Sequence, residues 1–486
     1  MSTKSSTELD HVNVAIIGAG LSGIGAAAHL VRELPDLTFT LLERRADLGG
    51  TWDLFRYPGV RSDSDMHTLG YRFRPWRSDR VLADGASIKQ YVRDTAEEYG
   101  ILDAIRYDHH VLDADFSTET NLWTVRYLTG GEERTITADF VWACAGYYSY
   151  DEGYLPEFPG AETFQGQTIH PQFWPEDLDY TGKRVVVIGS GATAITLVPS
   201  MAADAAHVTM LQRSPTYIMS IPSVDPTGST LRKVLPARVA AEQARWRNVI
   251  LQASLYQMSR RRPNQVRALI RKLTARQLPK DYPVDVHFKP KYNPWDQRLC
   301  VVPDGDLFRT IRKGDASIAT GEIETFTPTG IRLKDGTELE ADIIVTATGL
   351  NLSLMGGLQV SVDGADYKMP EHFVYKGAMI DGLPNFVFVV GYTNASWTLK
   401  ADLVSEFTIR LLKTMQKKGA KRVVPVVPPG TKGVPLMPLS SGYVTRKADE
   451  LPMAGEHKPW QMPNNYATDI PMLRYGKIDD GVLAFD

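Results

Sequence analysis

Two glycine-rich segments have the residue types and spacing that bind the phosphates of a dinucleotide. The first, residues 18–23, reads GAGLSG and lies between an apolar run at 12–17 and a helical pattern. In such a GxGxxG turn the glycines allow a tight bend and bring backbone N–H groups close to a pyrophosphate, at a helix N-terminus that favours anions. Glu43 lies 20 residues after Gly23, at the end of a second apolar run (39–42), where it could accept hydrogen bonds from ribose hydroxyls.

The second segment, residues 189–194, reads GSGATA and lies between apolar runs at 184–188 and 207–212. The first glycines of the two segments are 171 residues apart, so a strand–turn–helix–strand unit occurs twice. No acid follows the second unit. Arg213 stands there instead, and a guanidinium can pair with the 2′-phosphate of NADPH. The residues predicted to contact this second dinucleotide are Gly189, Ser190, Gly191, Ala192, Thr193, Ala194, Arg213 and Ser214.

Two dinucleotide sites in one chain favour FAD paired with NAD(P)H, the combination used by flavoprotein oxidoreductases. Cys144 and Cys300 lie 156 residues apart, so the sequence contains no CxxC pair and the disulfide-reductase class is excluded. An oxygenase needs only a dry pocket that protects a reactive flavin. An NADPH oxidase that releases peroxide and a non-enzymatic FAD-binding sensor remain as alternative classes.

Two further motifs distinguish between these classes. Residues 164–175 read FQGQTIHPQFWP, and residues 49–63 fit the pattern [A/G]GxWxxxx[F/Y]P[G/M]xxxD throughout. Both resemble the fingerprints of type I Baeyer–Villiger monooxygenases, which are class B flavoprotein monooxygenases. The stretches 49–76, 292–309 and 390–407 look like the ethionamide-activating subgroup. The resemblance covers nearly the whole chain and weakens at both ends and over 220–280.

The resemblance implies an FAD- and NADPH-dependent enzyme that inserts one oxygen atom of O₂ next to a ketone carbonyl, through a C4a-peroxyflavin, to give an ester or lactone. It places the catalytic arginine at Arg298, with Asp63 beneath it, because a permanent positive charge suits both a peroxide and a developing oxyanion. Many relatives have lysine before this arginine, whereas this chain has Gln297, which leaves more of the coenzyme choice to Arg213. The alternative reaction is oxygen transfer to a sulfide, thioamide or amine.

The predicted site therefore combines several sets of residues. Those expected to contact FAD are Gly18, Gly20, Ser22, Gly23, Glu43, Thr51, Trp52, Asp63 and Val111. A weaker hypothesis gives substrate-lining or domain-coupling roles to His170, Trp174, Asn394 and Trp397. His170 is interpreted mainly as structural, in the linker between the nucleotide domains. No His or Cys cluster indicates a metal site.

The expected fold class is α/β, with two Rossmann-like dinucleotide-binding domains and a helical insertion. The chain has 486 residues, of which 43% are hydrophobic and 23% charged, as in an ordinary multidomain globular protein. The predicted ranges are 1–150 and 381–486 for the FAD domain, 151–220 and 301–380 for the NADP domain, and 221–300 for an insertion lining the substrate side.

The charge is unevenly distributed. The net charge is −3, which gives no electrostatic reason to expect nucleic acid, yet residues 231–280 contain 13 Lys/Arg and one acid, Glu242. This segment reads as helical, broken at Pro236 and Pro263. It is either a solvated insertion or a surface for a membrane headgroup layer or an acidic partner. The apolar stretch 12–31 contains four glycines and is assigned to the dinucleotide fold, so we expect a cytoplasmic protein with at most weak membrane association.

Overall fold

The computed structural model describes residues 10–297, 299–437 and 442–486. Within these ranges the α-helices, numbered in chain order, are α1 Leu21–Glu33, α2 Thr51–Leu54, α3 Met66–Leu69, α4 Gly85–Glu98, α5 Ala192–Met201, α6 Pro226–Val234, α7 Ala237–Arg261, α8 Pro263–Ala275, α9 Val284–His287, α10 Asp306–Lys313, α11 Trp397–Lys418, α12 Gly442–Thr445 and α13 Tyr466–Asp469. None of the helices in these ranges is both long and apolar enough to cross a membrane.

The first sheet has nine strands among the described residues. In spatial order they are Ala365–Asp366, Gln359–Val362, His110–Ser117, Leu122–Thr129, Glu132–Ala143, His11–Ile17, Phe39–Leu42 and Ile105–Arg106, with Phe386–Phe388 also pairing with Glu132–Ala143. The strands that begin and end this order join the sheet through parallel pairs and antiparallel hairpins. The predicted strands at 12–17 and 39–42 are therefore present, and both lie in the centre of this sheet.

The first strand is buried on both faces, which is why it reads as a continuous apolar run. Val14 and Ile16 belong to the core that contains α1 and α11, whereas Ala15 and Ile17 belong to the core on the opposite face. The same helix pair holds the two ends of the chain together, because α1 packs directly on α11.

The second sheet is parallel throughout and repeats the predicted unit. Its strands, in spatial order, are Ala316–Thr320, His207–Gln212, Arg184–Ile188, Ile343–Thr346 and Gln167–Ile169. α5 and α10 cover one face of this sheet. The predicted strands at 184–188 and 207–212 match two of these strands at both ends.

Short paired strands complete the described fold. They are Tyr148–Gly153 with Leu350–Leu352, Tyr217–Ile221 with Leu299–Pro303, Ile323–Thr327 with Gly330–Leu333 and Glu338–Glu340, Val374–Tyr375 with Met379–Ile380, Val423–Pro425 with Leu483–Phe485, and Gly433–Pro435 with Met453–Gly455. The first of these pairs carries the two crossings between the sheets. After the second crossing the chain rejoins the first sheet at Gln359, which lies within the range 301–380 expected for the second domain.

Candidate functional site

The first glycine-rich turn has the geometry that its sequence predicts. Gly18 follows the first strand with φ of 96°, a left-handed conformation that favours glycine. α1 begins at Leu21 without a side-chain cap and without an acid in its first turn, so its N-terminus favours an anion. A Cβ on Gly23 would lie 1.9 Å from the Gly18 carbonyl oxygen, which shows why the third glycine is needed for the helix to pack on the turn.

Glu43 is buried at the end of the second strand, beside this turn. Its Oε2 accepts a hydrogen bond from the Ala19 N–H at 2.7 Å, and its Oε1 accepts one from the Arg45 N–H at 2.9 Å. Burial raises the pKa of Glu43, although both backbone donors oppose that shift. The carboxylate is therefore held rigidly at the edge of a cavity, where its remaining lone pairs face a ligand.

One open cavity joins the two halves of the site. Its wall includes eight of the nine residues predicted to contact FAD, namely Gly18, Gly20, Ser22, Glu43, Thr51, Trp52, Asp63 and Val111. Gly23 lies behind the turn. The second domain contributes Ala192 and Thr193, at the N-terminus of α5. No described residue of the insertion 221–300 lines this cavity.

The second glycine-rich turn resembles the first in geometry but is more open. A Cβ on Gly189 (φ of 139°) would lie 2.3 Å from the Ala347 carbonyl oxygen, whereas a Cβ on Gly191 would meet nothing within 4 Å. α5 begins after Gly191 without a side-chain cap. The Ser190 hydroxyl lies 2.7 Å from the Thr216 hydroxyl and 3.4 Å from the Ser214 carbonyl oxygen.

Arg213 is exposed at the end of the second strand of this unit. The nearby Lys334, and more weakly Arg213, lower the pKa of Glu322. The guanidinium is therefore at the mouth of the second turn with an acid in its vicinity, and a bound phosphate would compete with that acid for it.

The segment that carries Asp63 bridges the two domains. Gly59 packs so closely on α5 that a Cβ there would lie 1.9 Å from the Ser200 hydroxyl oxygen, and Arg61 forms an ion pair with Asp306 at the start of α10. Burial, and to a smaller extent the charge of Asp63, raise the pKa of Tyr57 to about 12. Asp63 itself is exposed to the cavity. Arg298 lies outside the described residues.

His170 contacts both crossings between the sheets. Its Nε2 lies 3.2 Å from the Gly349 carbonyl oxygen, and its Nδ1 accepts a hydrogen bond from the Gln172 N–H at 3.2 Å. A Cβ on Gly153 would lie 2.0 Å from the imidazole ring, so the ring fills the space beside the first crossing. Burial lowers the pKa of His170. The side chain lies away from the cavity wall, in a position that suits the predicted structural role.

The other weakly predicted residues fall in different places. Trp397 lines the cavity, where its Nε1 donates a hydrogen bond to the Ser22 hydroxyl at 2.8 Å and its ring stacks on Tyr147 at 5.0 Å. Trp397 therefore contacts the first dinucleotide turn. Trp174 packs against the core of the second domain, and neither Trp174 nor Asn394 belongs to the cavity wall.

Comparison with known proteins identifies the family of the chain. The model of the flavin-binding monooxygenase-like family matches residues 82–356, and an NAD(P)-binding Rossmann-like domain model matches residues 16–78. The FAD-containing monooxygenase EthA of Mycolicibacterium smegmatis is 52% identical over 478 residues, covering 98% of this chain and 97% of that protein. The chain belongs to the flavin-binding monooxygenase-like family.

Solved structures agree with this family at the level of the fold. An oxidized steroid monooxygenase bound to NADP matches with a TM-score of 0.76 and 22% identity, covering 98% of this chain and 99% of that one. A complex of the protein OTEMO with FAD and NADP matches with a TM-score of 0.69 and 21% identity over 86% of this chain and 87% of that one. The predicted fold class, the predicted family and the prediction of a flavoprotein monooxygenase are therefore confirmed.

The sequence interpretation missed one group of side chains in this monooxygenase. Tyr392 lines the cavity, and its hydroxyl donates a hydrogen bond to Asp469 Oδ2 at 2.8 Å. The same oxygen accepts a hydrogen bond from Lys400 Nζ at 2.7 Å, and both charged side chains are buried. Burial lowers the pKa of Lys400, while Asp469 opposes that shift. No local pattern joins residues 69 positions apart, so only the fold could reveal this anchor.

Proposed function

We propose that this flavoprotein monooxygenase uses FAD and NADPH to insert one oxygen atom of O₂ next to the carbonyl of a ketone, giving an ester or a lactone and water. The observation that carries the proposal is the single cavity lined by the first glycine-rich turn, by the start of α5 after the second turn, and by Asp63. A cavity shared by both turns would bring two dinucleotides together, as hydride transfer between them requires.

The residues around the first turn fit FAD. Gly20 and Gly50 face each other so closely that a Cβ on Gly50 would lie 3.0 Å from the Gly20 Cα, which keeps this part of the cavity free of side chains. The uncapped start of α1 would bind the pyrophosphate, and Glu43 would accept hydrogen bonds from the ribose hydroxyls. When bound, FAD would supply the redox chemistry that accepts a hydride and activates O₂.

The second turn would bind NADPH. The uncapped start of α5 suits its pyrophosphate, and the open space beside Gly191 permits a close approach. Arg213, exposed beside this turn, would pair with the 2′-phosphate. Gln297 stands where many relatives have a lysine, so Arg213 supplies most of the preference for NADPH over NADH.

Asp63 and Arg298 would act as a pair on the reacting carbonyl. Asp63 presents its carboxylate to the cavity and would orient the Arg298 guanidinium. A permanent positive charge there would stabilise the negative charge that develops on the ketone oxygen. The pair distinguishes this enzyme from an NADPH oxidase, which needs no stabilised oxyanion on a carbon substrate.

Oxygen transfer to a sulfide, thioamide or amine is the second candidate reaction. The match to the flavin-binding monooxygenase-like family model over residues 82–356 favours it, because that family is defined by flavin and not by ketone chemistry. Such a reaction needs no oxyanion stabilisation at the substrate, so it should depend less on the Asp63–Arg298 pair. We also place the enzyme in a reducing cytoplasm, because two cysteines 156 residues apart provide no disulfide framework.

A competition experiment tests this proposal. Purified holoenzyme receives NADPH, O₂, one linear ketone and one sulfide, and the products are separated and quantified. Asp63→Asn and Arg298→Ala should each lower ester formation by about 100-fold or more, as loss of an oxyanion-stabilising group does. Asp36→Asn, at an exposed acid in the turn after α1, is the matched control and should leave the products unchanged. Native ester formation in Arg298→Ala would contradict the proposed roles.

A further inference from the structure

The helices of the insertion expose an unusual combination of side chains. Within the described residues, 15 large hydrophobic side chains are exposed, and eight of them lie in residues 231–280. These eight are Val234, Val239, Trp246, Ile250, Leu251, Met258, Leu269 and Leu273. The same segment contains 13 of the 54 Lys/Arg of the chain, so apolar and basic groups are concentrated together.

Most of this positive charge is not neutralised inside the molecule. Five of the 13 cations form ion pairs, at Arg232, Arg245, Arg247, Arg260 and Arg271. Seven others are exposed and form no ion pair with any residue that the structure describes, namely Lys233, Arg238, Arg261, Arg262, Lys272, Arg276 and Lys280. The single acid of the segment, Glu242, is bound by Arg72 at 2.8 Å.

The exposed groups form stripes along the two longer helices. On α7, Val239, Trp246, Ile250 and Arg261 are spaced by seven, four and 11 residues, so they lie on one face. Ile250 is 59% exposed. The α7 stripe is thus apolar along the helix and basic at its end.

The stripe on α8 has the same character. Arg262, Leu269, Leu273 and Arg276 are spaced by seven, four and three residues along the helix that begins at Pro263. Because the α7 stripe ends at Arg261 and the α8 stripe begins at Arg262, the two stripes meet at the corner between the helices. We call these two stripes, together with Lys272, the insertion surface.

We propose that the insertion surface binds the surface of an anionic phospholipid bilayer and holds the enzyme there as a peripheral protein. Unpaired cations would attract anionic headgroups, and the apolar side chains between them would enter the boundary between headgroups and acyl chains. A soluble acidic protein or a nucleic acid would use the cations alone and leave the exposed isoleucine, leucine and tryptophan side chains without a partner. No part of the surface lines the cavity, so the bilayer would bind beside the catalytic site and not across it.

Vesicle flotation of the holoenzyme tests the proposal without measuring activity. We expect binding to vesicles of phosphatidylglycerol and phosphatidylcholine, weakening as salt is raised, and little binding to phosphatidylcholine alone. Each basic residue near such a surface changes affinity about fivefold, so the triple variant Arg261→Gln, Arg262→Gln, Lys272→Gln should bind about 100-fold more weakly. The control Lys183→Gln, Lys417→Gln, Lys421→Gln removes the same net charge from other exposed sites and should change binding little.

A second pair of variants tests the apolar contribution. Val239→Ser with Ile250→Ser should weaken binding to anionic vesicles about 10-fold, because two side chains could no longer enter the bilayer. Leu155→Ser with Val426→Ser, which replaces two equally exposed side chains elsewhere, should have no such effect. Thermal melts of all four variants should match the parent, since every altered side chain is exposed.

Three outcomes would overturn the proposal. The first is an absence of binding to anionic vesicles at physiological salt. The second is an equal loss of binding in the insertion-surface variants and their controls. The third is salt-dependent binding to polyglutamate or duplex DNA with no binding to vesicles, which would assign the surface to a soluble acidic partner.

Discussion

Gly23→Ala is the substitution for which the structure gives the clearest expected cost. In an ordinary helix interior, replacing glycine with alanine stabilises the helix by about 1 kcal/mol. At this position the new Cβ would lie 1.9 Å from the Gly18 carbonyl oxygen and 3.0 Å from its carbonyl carbon. Because both atoms belong to the backbone of the turn, α1 and the turn would have to separate by about 1 Å, and such overpacking costs about 3 kcal/mol.

The net expected loss of stability is therefore about 2 kcal/mol, opposite in sign to the effect of helix propensity. For a domain of this size class the loss corresponds to a decrease in melting temperature of about 4–8 °C. The assay is thermal release of flavin from the holoenzyme, followed by the rise in flavin fluorescence. The displaced turn should also weaken FAD binding, measured as the fraction of protein that keeps its yellow colour after dialysis.

Gly191→Ala is the matched control, because its Cβ would meet nothing within 4 Å. Its melting temperature should stay within about 2 °C of the parent, while the KM for NADPH should rise because the new methyl group lies where the pyrophosphate must approach. A Gly23→Ala protein that is as stable as the parent and remains yellow would refute the packing argument.

Three further predictions concern charged groups. Lys400→Met should destabilise the protein by about 3–5 kcal/mol in thermal melts, because it leaves the buried Asp469 carboxylate without its cation, and an effect below about 1 kcal/mol would count against that pair. Arg213→Ala should reduce the ratio of NADPH to NADH kcat/KM by about 10-fold or more, and an unchanged ratio would remove Arg213 from coenzyme selection. His29, together with Lys413, lowers the pKa of Glu33 to about 2, so the stabilisation from this carboxylate is present above its unfolded pKa near 4.5 and is lost as the pH falls towards 2. Glu33→Gln should flatten this part of an acid-denaturation curve, and an unchanged curve would contradict the assignment.

The sequence predicted the parts of the fold that depend on local pattern. Strands such as Arg184–Ile188 are buried on both faces, so they appear as unbroken β-branched runs, and the breaks at Pro236 and Pro263 mark the ends of helices that the structure also contains. The return of the chain at Gln359 could not be predicted, because this short strand pairs with residues about 240 positions earlier and has no distinctive composition.

The candidate site shows the same division. Motif residues such as Ser22 and Asp63 reach one cavity because the turns that carry them are specified by glycines. Trp397 had no local signal for a contact with Ser22, 375 residues earlier in the chain. Likewise, nothing in the sequence distinguishes the buried Lys400 from the exposed Lys417 four turns later on the same helix. Long-range pairing determines these contacts, and pattern analysis does not detect it.

The most direct test of the proposed function is product analysis when the holoenzyme, NADPH and O₂ are given one ketone and one sulfide together. The proposed function predicts that ester is formed with consumption of NADPH, and that Arg298→Ala abolishes ester formation while some sulfoxide formation persists. Sulfoxide as the sole product of the parent enzyme, or ester formation that is unaffected in Arg298→Ala, would contradict it.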